Sequence, residues 1–81
     1  MNILEAILEN RPDETFLKAD GFDEAVIGVD EMSGRLIYSV TKCIECLITQ
    51  GMTDEEASEF FYFNVASAYM GEQTPIFCTE Y

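Results

Sequence analysis

From Thr53 to Gly71, apolar and small residues recur at helical intervals. Ala57, Phe60, Phe61, Val65 and Ala68 share one face, with Asn64 as the single amide among them. Signals at both ends bound this helix. Thr53 with Glu56 three residues on is a capping box, in which each side chain satisfies a backbone donor of the first turn. Asp54, Glu55 and Glu56 put negative charge at the positive end of the helix dipole. Gly71 suits the left-handed residue after a helix, and Pro75 prevents continuation. Asn64 on the buried stripe predicts a hydrogen bond from its amide to main chain within residues 71–77 or to the neighbouring strand.

Upstream, Ile3, Leu4, Ile7 and Leu8 follow a weaker capping pair, Asn2 and Glu5, and Arg11-Pro12 ends that run. Pro12 also suits the first residue of a short helix from Asp13 to Lys18, stopped by Gly21, with Phe16 and Leu17 as its buried side. The period then changes. Ala25–Val29 is a β-branched run, Asp30–Gly34 carries turn chemistry, and Arg35–Val40 alternates in its first part, which together predict a β-hairpin. The first strand is apolar on both faces, so it is expected at the centre of the sheet. Gly28 in that strand predicts a close approach by a neighbouring group. Ser39 or Thr41 caps a further helix through Gln50, with Val40, Cys43, Ile44, Leu47 and Ile48 as its stripe and Gly51 as its stop. After Gly71, Thr74–Thr79 reads as a last strand, parallel to the first.

The order α-(α)-β-β-α-α-β predicts an α+β fold. A small three-stranded sheet, made of the hairpin and the C-terminal strand, packs against an antiparallel helix pair, with a helix at the N-terminus. Residues 1–81 form one domain, whose small core leaves homo-oligomerisation open.

Charge narrows the choice of partner. Sixteen acids against four bases give a net charge of −12, and no basic residue follows Lys42. The halves 1–40 and 41–81 each carry −6, so the acidity belongs to the fold and is not a tail. Direct binding to nucleic acid or to an anionic membrane is disfavoured, because both need Lys and Arg against phosphate. A basic protein partner is permitted, and the plainer role of acidity is solubility. The N-terminus lacks the basic start and unbroken apolar stretch of a secretory signal, and no apolar run approaches a membrane span. A cytoplasmic, reducing setting is expected.

Few residues offer chemistry. Cys43 and Cys46 form a C-x-x-C, a spacing shared by metal and redox sites, but only Cys78 remains as a further thiol and there is no His. Cys43 lies in the apolar stripe and not at a helix N-terminus, so buried structural thiols are favoured, without metal, cofactor or disulfide. The acids around Asp54 lack the ligand spacing and turn glycine of a calcium loop. No nucleophile stands with a base, and no catalytic residue is assigned. The polar stretch Gly71–Pro75 is only half explained by helix exit, which leaves Glu72, Gln73 and Thr74.

Four segments carry a resemblance: F-D-E-A-V-I-G-V (Phe22–Val29), R-L-I-Y-S-V-T-K-C-I-E (Arg35–Glu45), G-M-T-D-E-E-A (Gly51–Ala57) and F-N-V-A-S-A-Y-M-G-E-Q-T-P-I-F (Phe63–Phe77). Over about residues 22–77 the chain resembles a group of small hypothetical proteins encoded by tailed bacteriophages. Its most specific part is the F-N…A-Y-x-G-E-x-T-P segment. The resemblance implies a phage origin and a bacterial cytoplasm, and transfers no catalytic residue.

Two functions from different classes fit. One is a non-enzymatic accessory protein that binds and inhibits a host protein with a basic surface, such as a nucleic-acid-handling or defence enzyme, through Asp54, Glu55, Glu59, Glu72 and Gln73. The other is a small-ligand or nucleotide-sequestering protein using Asn64, Tyr69 and Thr74, for which the scarcity of bases is the weak point.

Overall fold

A computed structural model describes residues 2–68 and 71–81. Helix α1 (Ile3–Asn10) begins where the Asn2 side chain accepts the Glu5 N–H. A 3-10 turn (Asp23–Ala25) leads into β1 (Val26–Val29), which is followed by β2 (Leu36–Ser39), α2 (Val40–Thr49) and α3 (Asp54–Phe60). A π-helical turn (Phe61–Val65) extends α3, and β3 (Ile76–Cys78) closes the sheet. This is the expected α+β architecture: a three-stranded sheet, an N-terminal helix, and two further helices packed against the sheet.

The order of strands differs from the expectation. The sheet runs β1-β2-β3, so β2 is central and β1 lies at an edge. β3 is parallel, but to β2: Ile37, Tyr38 and Ser39 pair with Ile76, Phe77 and Cys78. Apolarity on both faces of β1 had pointed to a central strand. It reports covered faces, and a covered face is independent of a paired edge. Helix α1 packs on β1, with Leu4 buried in the core. The hairpin itself is as expected, antiparallel with Val26 opposite Tyr38 and Val29 opposite Leu36. Its loop is held by Asp30, whose carboxylate accepts both the Ser33 N–H (3.0 Å) and the Ser33 hydroxyl. These bonds, the hydroxyl first, hold the Asp30 carboxyl below its ordinary value. Gly28 sits beside an irregularity between Val26 and Gly28, with no atom within 4 Å of where a Cβ would stand. The close approach expected there is absent among the described residues, and the glycine marks a bulge instead.

Residues 11–22 form no helix. The short helix expected over Asp13–Lys18 is replaced by an irregular segment tied to the sheet. The buried Tyr38 hydroxyl accepts the Ala19 N–H at 2.8 Å, a donor that a continuing helix would have sent to its own backbone. Ala19 and Phe22 are thereby buried against β2 and its neighbours. Arg11, at the start of the segment, pairs with Glu14 (3.1 Å) and with Glu31 of the hairpin loop.

Helix α2 follows its signals closely. Ser39, the last residue of β2, is also the cap of α2, its hydroxyl accepting the Lys42 N–H at 3.2 Å. Val40, Cys43 and Leu47 of the stripe are buried, whereas Ile48 emerges. At the far end the Gly51 N–H bonds Ile48 O (2.9 Å) and the Met52 N–H bonds Leu47 O (3.3 Å). That is a Schellman stop, with Gly51 at φ 108° in the left-handed region a side chain resists. Met52 then packs on the core and the chain enters α3.

Candidate protein-docking face

Helix α3 starts with the full capping box. The Thr53 hydroxyl accepts the Glu56 N–H (3.2 Å), and the Glu56 carboxylate accepts the Thr53 N–H (2.9 Å). Ala57 is buried one turn later. The expected α-helical stripe then breaks. Between Phe61 and Val65 the helix widens to π spacing, with the Ala66 N–H reaching Phe61 O at 2.8 Å. The extra residue in the turn changes which side chains face inward. Phe61 is fully buried, its ring edge-on to Phe77 (5.3 Å) and to Tyr62 (5.2 Å). Phe60 and Asn64, both expected on the buried stripe, turn outward.

Asn64 is therefore exposed, and the hydrogen bond expected from it to residues 71–77 is absent. Its amide instead donates back to Phe60 O at 3.3 Å within its own turn. The helix expected to run to Gly71 ends its regular structure at Val65, and residues 69–70 lie outside the described residues. Tyr69, a candidate ligand residue, is one of those two. Thr74 is half-buried in the turn before β3, its hydroxyl donating to Gly71 O (2.6 Å) and its carbonyl accepting from Arg35 (3.3 Å). Its role is turn chemistry, and it borders neither depression next to Asn64. The structure does not assemble Asn64 and Thr74 into one site.

The outer surface of α3 and the π turn has a definite chemistry. Asp54, Glu55 and Glu59 are exposed, and the ion pairs among the described residues belong to Arg11, not to them. Of the aromatics that follow these acids, Phe60, Tyr62 and Phe63 are 40, 55 and 78 % exposed. Glu56, Glu59, Phe60, Phe63 and Asn64 line an open depression of about 310 Å³. Asn64 also borders a second one, of about 220 Å³, walled by Lys18, Ala19, Phe22 and Phe77 among others. Glu72 and Gln73 are exposed on the turn before β3 and do not border the α3 depression.

Phe60, expected inside, and Tyr62 and Phe63, given no role by the sequence reading, all have a signal in the sequence for facing outward. Four successive aromatics, F-F-Y-F, sweep about 300° of an α-helix at 100° per residue, so they cannot all face inward.

Elsewhere, Cys46 opens on a depression of about 480 Å³ beside Glu24, Lys42 and Glu45. Burial pushes the Cys43 thiol up to about 12, and burial, followed by Glu24, raises that of Cys46. Both shifts favour the protonated thiol, the opposite of an activated nucleophile. All three cysteines are free, and no cluster of three or more His, Cys, Asp or Glu among the described residues is arranged to hold a metal. No helix among the described residues is long and apolar enough to cross a membrane. No protein-family model, curated protein or solved structure matches this chain.

Proposed function

We propose that this protein is a non-enzymatic binding protein whose acidic and aromatic α3 face docks on a basic surface of another protein. The observation that carries this reading is the adjacency of unpaired carboxylates and exposed rings on one short, rigidly capped element. Isolated exposed apolar residues are ordinary, but Phe60 and Phe63 share one depression with Glu56 and Glu59, the aromatic core and charged rim of an interface in miniature. The net charge of −12 steers a basic partner and repels nucleic acid. The sequence resemblance to small phage proteins supports a host protein in the bacterial cytoplasm as the partner, with inhibition of a nucleic-acid-handling or defence enzyme as the outcome. Asp54, Glu55 and Glu59 belong to this face, with Glu72 and Gln73 as a separate exposed contact. The ligand-sequestering reading has weaker support, since Asn64 and Thr74 stand apart.

The test is capture of host proteins on immobilised protein across a salt series, compared with the triple variant Asp54→Asn, Glu55→Gln, Glu59→Gln. The expected result is a defined basic protein, retained at low salt, released as salt rises, and not retained by the variant. Equal retention by the variant overturns the reading.

A further inference from the structure

We infer, building on the protein-binding reading above, that the α3 depression receives an arginine side chain of the partner. The walls are two phenyl rings, Phe60 and Phe63, and the acceptors at its edge come from Glu56, Glu59 and Asn64. Glu56 gives one carboxylate oxygen, Oε1, to the Thr53 N–H, which fixes the side chain and leaves Oε2 for a ligand. Glu59 forms no ion pair among the described residues. Asn64 donates its amide N–H to Phe60 O, which leaves the amide oxygen as a further acceptor. The depression therefore combines acceptors with aromatic surface and contributes no cation of its own.

That combination selects among cations. A hard metal ion uses oxygen ligands in number and gains nothing from flanking rings. A lysine ammonium is compact and strongly hydrated, and it makes little of a ring when the site is open. A guanidinium is planar and weakly hydrated, stacks on aromatic faces, and presents five donors that match several acceptors at once. Helical spacing is what places the rings beside the carboxylates, Phe60 four residues after Glu56 and Phe63 four after Glu59.

The experiment is a backbone-amide NMR titration with two blocked tripeptides at equal ionic strength, acetyl-Gly-Arg-Gly-amide and acetyl-Gly-Lys-Gly-amide. The arginine peptide is expected to give saturable shifts over residues 56–64, and the lysine peptide to bind more weakly, by at most about 5-fold, the full value of an exposed cation–π contact. Phe63→Leu, at an exposed position, is expected to bring that ratio close to one, and Glu59→Gln to weaken both peptides. Equal binding of the two peptides, or an unchanged ratio in Phe63→Leu, overturns the arginine assignment while leaving protein binding by the acidic face intact. Shifts confined to other residues overturn it as well. Failure of the parent reading shows separately, as protein capture that is indifferent to the triple charge variant.

Discussion

Replacing Tyr38 by Phe tests the tie between the irregular segment 11–22 and the sheet. The substitution keeps the ring, which packs at 5.7 Å from Phe77, and removes only the oxygen that accepts the Ala19 N–H at 2.8 Å. Both residues are buried, so the orphaned N–H finds no ready water. Leaving a buried donor unsatisfied costs about 1–3 kcal/mol. For 81 residues the unfolding entropy scales to about 0.17 kcal/mol/K, so the melting temperature falls by about 6–18 °C. Urea unfolding followed by far-UV circular dichroism should show a lower midpoint with an unchanged slope, because the surface exposed on unfolding is nearly the same. Tyr62→Phe, at an exposed position, is the control and should change stability by less than about 0.5 kcal/mol. Equal midpoints for Tyr38→Phe and the unaltered protein would refute the reasoning, as would an Ala19 amide that exchanges with solvent as fast as an open loop.

Three further outcomes follow from the same structure. Thr53→Ala removes one half of the capping box and should cost about 0.5–2 kcal/mol, read as a lower urea midpoint. Burial raises the Cys43 pKa from 9.0 to about 12, so its contribution to stability is full below pH 9 and is lost as pH rises toward about 12, where only the unfolded chain releases the proton. Urea midpoints measured between pH 8 and about 10.5 should fall, and a Cys43→Val variant should lose part of that slope. Asn64→Ala, now placed on an exposed turn, should shift stability by no more than about 0.5 kcal/mol, and a larger loss measured by the same unfolding assay would restore a structural role for the amide.

The local instructions were legible wherever they rest on one side chain and its nearest backbone. Thr53, Glu56 and Gly51 each fix their element end by a contact spanning three residues, as read, and of the two caps offered for α2, Ser39 and Thr41, it is Ser39 that serves. The sheet order was not legible, because residue type records burial of a face and says nothing of which edge is paired. Val26 is as deeply buried in an edge strand as it would be at the centre. The helix over Asp13–Lys18 failed for a nonlocal reason, as the Ala19 N–H has its partner on Tyr38, far along the chain. For the proposed docking face, exposure alone can be compared with the sequence. Asp54, Glu55 and Glu59 are exposed, whereas Phe60 was placed on the buried stripe and Tyr62 and Phe63, off that stripe, were given no role. Asn64 lies inside the π turn, where the count of 3.6 residues per turn no longer holds.

The central position of β2 also sets an order of assembly in time. Residues 40–75 must be synthesised after β2 before β3 exists to pair with it. Until β3 arrives, β2 keeps one open edge and Tyr38 lacks its Phe77 neighbour. An open edge in that interval is a template for pairing with another chain. Changes that weaken β3 therefore act twice, by removing its pairing with β2 and by leaving that edge open to other chains.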